Sequence, residues 1–484
     1  MGHKKAAALF CIIITVILIA VNVITALLPS YISKIDATGY DMYTFGETTV
    51  STVKAIDADV EIYIMMYSDQ SNETMMTVLE RYEGLNKRIK VTKLDMEKDA
   101  SFISRYSSNP EAGSIIVKSG ERSVYIPYFY LFYFSETAVT NAINYYNYYY
   151  QAGGYTGSFN EFLYAYGVYM GIYDGYQYED RITSAIQYVT SDEIKNIYML
   201  TGHKEDSISN DVLMRLMESG VALNTLALTE KDIPANCDAI LLLPNTDITE
   251  AERVKLTDYT AKGGKVILAT MYGTEYTELY KFTELFGLTS TDDYLCDDET
   301  DYCLEGYPLM ITPDLNGENY TNAVSGNDVF VVLGGTHAIL KTETTPDGVT
   351  ITPILTTSEK AYVKEDISTG EYEFDSEKDV RQQYYAAASA TNSAGGSILW
   401  VGSSAILYDD YDYYCGFGNK LFFMQTVKET SGFAESITLE PTMVDSETID
   451  SQPTIVYIFL GLFTVLPIAL TAYGVIRYRR RRYA

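Results

Sequence analysis

The chain has 484 residues, with 35 Lys and Arg against 65 Asp and Glu, a formal net charge of −30. Seven of the basic residues flank two terminal apolar runs (Lys4, Lys5, Arg477 and Arg479 to Arg482), so the part between the runs holds 28 basic against 65 acidic residues, a net −37. A surface this acidic repels a phosphate backbone, which sets nucleic-acid binding aside.

Residues 6–28, "AAALFCIIITVILIAVNVITALL", and 454–476, "TIVYIFLGLFTVLPIALTAYGVI", carry no charge. At ~1.5 Å per residue each reaches ~34 Å, enough to cross a hydrocarbon core of about 30 Å. Basic residues stand before the first run and after the second. The positive-inside rule therefore places the tails 1–5 and 477–484 in the cytoplasm and everything between the runs outside. A cleaved signal peptide is the alternative for the first run, but its apolar core is long and "TALLPS" offers no small-x-small site. The expectation is a two-pass protein of the cell membrane with a large extracytoplasmic part.

About 425 residues lie between the runs, enough for two or three domains with real cores. Over 36–150, "VEIYIMMY" reads as a strand, "NETMMTVLERYEGLN" as an amphipathic helix and "IKVTKLDM" as a strand. "ASFISRY" is a short helix, and "GSIIVKSGERSVYIPYF" a hairpin turning at Ser119-Gly120. The order β-α-β-α-β-β is that of a thioredoxin-like domain. Its first strand-to-helix connection, "SDQSN", holds no Cys, so thiol chemistry is excluded and a scaffold remains.

A tyrosine-rich connection occupies 151–190 and begins in the preceding "NYYNYYY". Tyr with Gly makes sugar- or partner-binding surfaces, or simply a packed extension. "ETAVTNAINY" (136–145) and "EDRITSAIQY" (179–188) nearly repeat, as a partial duplication or as two similar helix starts.

From 191 the pattern is a doubly wound α/β domain over 191–290 and 396–436. "IKNIYML", "VALNTLAL", "CDAILLLP" and "KVILAT" are strands, alternating with helices over "SNDVLMRLMESG" and "TEAERVKLTDYTAKGG". Residues 291–395 form a strand-rich acidic insertion, with turn signals such as Pro346-Asp347-Gly348. "SILWVGSSAIL" returns as a late strand, and "GNKLFFMQTVKETSG" closes the domain as a helix.

The nearest approach to a phosphate loop is "YTAKGGK", where Tyr259 stands in place of the first Gly. No G-x-S-x-G, H-E-x-x-H or paired C-x-x-C occurs, and no cofactor or metal is expected. Cys296 and Cys303 bracket "DDETDY"; they could close a small disulfide loop, or the acids between them could bind calcium in an irregular loop. Of three histidines, His203 lies in "TGHKED", directly after a strand's carboxyl end, where open α/β sheets bind ligands. Thr201, Gly202, His203 and Glu205 thus form a candidate ligand-facing turn. Its plainer reading is a polar turn leading to a helix capped by Asp206 or Ser209.

With "MLTGHKE" (199–205), Ile233-Pro234, Asp238, Pro244, Ile248-Thr249-Glu250, Leu256, Tyr259 and Gly263-Gly264 in one order before a C-terminal apolar run, the chain resembles the GldG family. These are auxiliary components of ABC-type transport systems named for gliding motility. The resemblance extends to "YDMYTFGETTVSTVKAIDADVEIYI" and the final "PIALTAYGVIRYRRRR". It implies a membrane-anchored, non-enzymatic partner of a separate ABC permease and ATPase. It also suggests an amidotransferase-like fold without its nucleophile, since "NTDITEAE" after "LLLP" offers neither Cys nor Ser. Lys204 departs from the family's pattern, where Gly is usual. Two other readings stand beside this one: a cell-surface module binding a glycan, a cell-wall ligand or a protein, and a hydrolase using His203 and Glu205.

Overall fold

A computed structural model describes residues 44–443 except 158, 206–207, 326–328, 368–369, 409–410, 413–414, 417, 434–438 and 440, with isolated positions at 16 and between 472 and 480. The two apolar runs fall almost wholly outside the described residues. Among the described residues no helix is long and apolar enough to cross a membrane. The protein is a mixed α/β chain in two compact units, one drawn from residues up to 144, 164–190 and from 438 onward, the other from 145–163 and 191–437.

In the first unit, helix α1 (Glu47–Ala55) precedes strand β1 (Val60–Met66), α2 (Glu73–Leu85), β2 (Ile89–Asp95), the single turn α3 (Ala100–Ile103), β3 (Ile115–Ser119) and β4 (Arg122–Ile126). The sheet order is β2-β1-β3-β4; β1 and β2 are parallel, β3 and β4 antiparallel additions. Asn72 starts α2 by accepting from the Met75 amide at 3.0 Å, which satisfies one orphan N–H. Helix α6 (Tyr178–Thr190), read from sequence as the end of the connection, closes this unit instead. Its Ile182, Ala185, Ile186 and Val189 share one buried face. Thr183 Oγ1 meets Tyr82 Oη at 2.8 Å and Thr49 Oγ1 at 3.2 Å, joining α6 to α2 and α1.

Helices α4 (Glu136–Gln151) and α5 (Phe159–Tyr169) lie between two short strands, β5 (Phe132–Tyr133) and β6 (Gly175–Tyr176). The two near-repeat segments are therefore both helical. A third strand, β20 (Thr442–Met443), pairs antiparallel with β6. Gly175 permits this close approach, since a Cβ there would stand 2.4 Å from the Thr442 carbonyl oxygen.

The second unit is built on one large sheet. Its parallel half contains β7 (Lys195–Leu200), β8 (Val221–Leu226), β9 (Ala239–Leu242), β10 (Lys265–Ala269) and β19 (Ser397–Val401), in the order β19-β10-β9-β7-β8. The central strands β9, β10 and β19 read as apolar runs because both faces are covered. Ile197, Leu241, Ile267 and Leu399 point into one core with Val212 and Leu216 of α7 (Asn210–Glu218) and Phe422 and Val427 of α11 (Gly418–Ser431). Ile240, Leu242, Leu268 and Trp400 point into the other, with Leu256 of α8 (Glu250–Thr260) and Leu279 and Phe282 of α9 (Glu278–Thr283).

The strand-rich segment expected over 291–395 is continuous with this sheet. Strand β18 (Tyr385–Thr391) pairs antiparallel with β19, and β11 (Leu288–Cys296), β15 (His337–Lys341), β16 (Thr350–Thr356) and β17 (Tyr362–Lys364) carry the sheet onward. The remaining elements are the short strands β12 (Met310–Ile311), β13 (Asp314–Leu315) and β14 (Leu333–Gly334), and helix α10 (Glu318–Ser325). Where the parallel half meets the antiparallel half, Gly402 leaves room for its neighbour: a Cβ there would lie 2.4 Å from the His337 carbonyl oxygen. Gly402→Ala is expected to destabilise the protein by about 1–3 kcal/mol through forced backbone displacement, read as a lower urea midpoint for the solubilised full-length chain.

Candidate functional site

The four residues of the candidate turn come together in the structure. Strand β7 ends at Leu200, and Gly202 (φ 120°) and Lys204 (φ 57°) then fold the chain back on itself. The Glu205 carboxylate lies under this fold. It accepts from the Gly202 amide at 3.1 Å and from the His203 amide at 3.0 Å, and meets His203 Nδ1 at 2.8 Å. On the far side, His203 Nε2 meets Glu252 Oε2 at 3.1 Å. Thr201 stays with the sheet, its amide donating to the Leu226 carbonyl at 3.1 Å.

Glu252 is the third residue of α8 and is held in a capping box. Its carboxylate accepts from the Thr249 amide and hydroxyl, both at 2.8 Å, while its own amide donates to Thr249 Oγ1 at 3.3 Å. The loop between β9 and α8 is tied to the same turn: Asn245 donates through its amide to the His203 carbonyl at 2.9 Å and through Nδ2 to the Lys204 carbonyl at 2.8 Å. Asp247, in the same loop, accepts from the amides of Thr277, Glu278 and Leu279 at 2.8, 2.7 and 3.0 Å.

His203 is only 4 % exposed. Burial by itself lowers an imidazole pKa, but the hydrogen bonds and charges of Glu252 and Glu205 outweigh it, and His203 is raised above its ordinary value. Burial likewise pushes Glu252 up, while the Thr249 amide and hydroxyl, and then His203, bring it below the usual carboxylate range. A carboxylate at each ring nitrogen favours the protonated ring, the imidazolium, in which both nitrogens donate. An imidazolium with both N–H groups engaged has no lone pair, so this geometry gives it no general-base or metal-ligand role. It acts as a cationic tie between two loops.

His337, the other described histidine, is buried among hydroxyls. Its ring meets Thr270 Oγ1 and Ser290 Oγ, each at 2.6 Å, and Trp400 Nε1 donates to Thr270 at 2.7 Å. Burial lowers its pKa to about 4, so it is neutral. The Ser290–His337 distance is that of a nucleophile and its base. His337, however, is fully enclosed, and a hydroxyl stands where a carboxylate would orient such a base.

Cys296 and Cys303, the expected disulfide partners, are free and buried. Burial pushes the Cys296 thiol up to about 12. Three of the acids between them, Asp297, Asp298 and Glu299, are engaged by side chains of the protein. Asp297 accepts from the Ser358 amide and hydroxyl, both at 2.8 Å, and Asp298 makes a two-pronged pair with Arg381 at 2.7 Å. Those side-chain links, not a disulfide, fix the segment. Among the described residues no group of three or more His, Cys, Asp or Glu is arranged to hold a metal.

A second buried ionic cluster was not singled out in the sequence. Lys420 Nζ lies 3.2 Å from Asp211 and 3.3 Å from Asp412, and Arg215 joins Asp211 at 3.1 Å. The available signal was a lysine beside "LFFM" in an otherwise apolar helix face. At the amino ends of the central strands β9 and β10 a cavity of about 620 Å³ is lined by Pro234, Cys237, Lys255, Tyr259 and Gly264 among others. The Tyr259 ring lies where a Cβ of Gly264 would be, 2.4 Å away, so the Tyr and Gly of this motif are a packing pair. Lys255 is already bound to the Leu228 and Lys231 carbonyls and to Asp232.

No family model matches the chain, and no curated protein matches it. Among solved structures it is similar to the N-terminal domain of mmIFT52, at 14 % identity and TM-score 0.36, over 50 % of this chain and all of that one. A ThuA-like protein from Bacteroides uniformis aligns at 15 % identity and TM-score 0.30, over 50 % of this chain and 94 % of the other. A cold-adapted β-galactosidase from Rahnella sp. R3 aligns at 14 % identity and TM-score 0.27, over 54 % of this chain and 35 % of that enzyme.

Removing the imidazolium leaves two buried carboxylates facing each other, so His203→Ala is expected to cost about 3–5 kcal/mol in a urea unfolding measurement. The sign with pH follows from the two shifts. The raised His203 stabilises fully below the unfolded value of about 6.5, and this is lost as pH rises through its higher folded value. The lowered Glu252 stabilises above about 4.5, and this is lost as pH falls through its folded value. The stability gap between wild type and His203→Ala should therefore be widest near pH 5–6 and shrink on either side. Lys204→Gly relieves a left-handed side chain and should raise stability by about 0.5–1 kcal/mol in the same assay.

Proposed function

We propose that this chain is a membrane-anchored, non-catalytic extracytoplasmic auxiliary subunit of an ABC transporter, of the GldG type, working with a separate permease and ATPase. The observation that carries the non-catalytic part is the commitment of His203. In the order β9-β7-β8 the strands are parallel and the strand order reverses at β7, with β8 on one side and β9 on the other, the place where open α/β sheets bind ligands. There the His203 turn and the Asn245 loop are bound to each other instead. We read the second unit as a doubly wound, amidotransferase-like domain of this kind. The first, with sheet order β2-β1-β3-β4, we read as a thioredoxin-like scaffold.

The anchoring part of the proposal rests on the apolar runs 6–28 and 454–476 with their flanking basic residues. The motor is assigned to another chain because "YTAKGGK" lacks the first Gly of a phosphate loop; in the structure Tyr259 of this segment instead packs on Gly264. Exposed tyrosines, Tyr148 and Tyr169 foremost, favour a second reading as a cell-surface module for a glycan or protein. A pull-down of the tagged full-length protein from native membranes in mild detergent is expected to recover an ABC permease and ATPase in stoichiometric amounts. Their absence, with binding of the protein to a glycan array, would replace this reading with the second.

A further inference from the structure

We propose that strand β8 is a dimerisation edge, at which two copies of this chain pair their β8 strands antiparallel about a two-fold axis at Asn224. Strand β8 ends the large sheet, and β7 is its one neighbour among the described residues. The Lys195 amide donates to the Gly220 carbonyl at 3.0 Å and the Thr201 amide to the Leu226 carbonyl at 3.1 Å. The even-numbered residues of β8 therefore turn their backbone groups toward β7, and the odd-numbered ones turn theirs away. Val221 is buried, which leaves Leu223, half-buried, and Thr225, exposed, as the open part of the edge. Their amides and carbonyls have no partner among the described residues. An open edge is a template for another strand, and proteins commonly guard it with a charge. Each other strand that ends a ladder of the two main sheets carries one: Lys90 and Lys93 on β2, Arg122 on β4, Asp314 on β13 and Lys364 on β17. From 219 to 229 there is no Asp, Glu, Lys or Arg. The occupant that fits this unguarded edge is a strand.

Symmetry and charge select a second copy as the source of that strand. Leu223 and Thr225 stand one residue either side of Asn224. With the axis at Asn224, Leu223 of each copy faces Thr225 of the other, and each facing pair exchanges its amide and carbonyl hydrogen bonds. Asn224 then meets its own counterpart at the non-hydrogen-bonded position, where side chains of an antiparallel pair come closest. Its Nδ2 makes only long contacts, 3.5 Å to Asn196 Oδ1 and 3.4 Å to the Ala222 carbonyl, and its Oδ1 has no donor among the described residues. Two such amides side by side donate to and accept from each other. In a chain of net charge −30, two copies approach most readily across an uncharged strip, and this edge is one.

The test takes the purified full-length protein in mild, density-matched detergent and reads its mass by sedimentation equilibrium. Wild type is expected to dimerise. Thr225→Pro removes one outward amide from each copy, a change that an edge strand tolerates. The loss of two backbone hydrogen bonds should weaken the dimer roughly 30-fold and leave the circular dichroism unchanged. Oxidative cross-linking then fixes the register. Across the axis the two Asn224 Cα atoms would stand about 4.5 Å apart, within disulfide reach. The two Thr225 Cα atoms, offset by two residues along the strands, would stand roughly 8 Å apart and out of reach. Asn224→Cys should therefore give a cross-linked dimer above the background of the native cysteines in wild type. Thr225→Cys, at the more exposed position, and Val254→Cys on the exposed face of α8 should stay at that background. A monomeric wild type overturns the proposal, as does a dimer that T225P leaves intact or equal cross-linking of T225C and N224C. Asn224→Cys joined in native membranes to a protein of different mass would overturn it too, in favour of a strand from another protein.

Discussion

A protonated imidazole between two buried carboxylates holds together the loops that follow β7 and β9, and the geometry of the parallel half depends on it. A charge in the interior is tolerated only when every neighbouring polar group is also satisfied. Each partner here meets that condition. Glu205 takes the amides of Gly202 and His203, and Glu252 takes the amide and hydroxyl of Thr249. Glu252 lies in the first turn of α8, where the helix dipole favours an anion. The same side chain thus starts a helix and neutralises a histidine.

Lys420, Asp211, Asp412 and Arg215 form a second ionic cluster in the same unit, with Lys420 between the two carboxylates. Asp211 lies in the first turn of α7 and Asp412 accepts from the Lys420 amide near the start of α11 at 3.0 Å, so this cluster too is organised around helix starts. The antiparallel half uses different means. Its strands bury alanines and aliphatic residues, such as Ala386, Ala387, Ala388 and Ile339, and the buried Asp297 beside them accepts from Ser358. Burial outweighs those hydrogen bonds and raises the Asp297 carboxyl above its ordinary value, the opposite of Glu252.

The order of helices and strands was legible because it is written locally. Continuous apolar runs mark β9 and β10, and Ser209 caps α7 by accepting from the Val212 amide, as one of the two expected caps. The turn at His203 and its partner Glu205 were legible for the same reason. Glu252 was not, since it is 49 residues away and reads in sequence as an ordinary capping-box glutamate. Strand pairing is likewise nonlocal: nothing in residues 291–395 announces that β18 lies beside β19. The helix over 178–190 could be read from its periodicity, but not the three hydroxyls through which it joins α1 and α2. Cysteine spacing suggested a bond between Cys296 and Cys303, but both are free, and Asp297 and Asp298 between them pair with Ser358 and Arg381.

The two described histidines show what separates a brace from a reactive group. Both are buried, and desolvation presses both pKa values down. His203 escapes upward because its neighbours are carboxylates, whereas His337 falls to about 4 because its neighbours are hydroxyls that stabilise no positive charge. A general base needs a lone pair, access to substrate and a pKa near the working pH. The first ring lacks the lone pair, the second lacks access, and their values are pushed in opposite directions. Each ring is bound into the packing of the sheet, one between two carboxylates and the other between two hydroxyls.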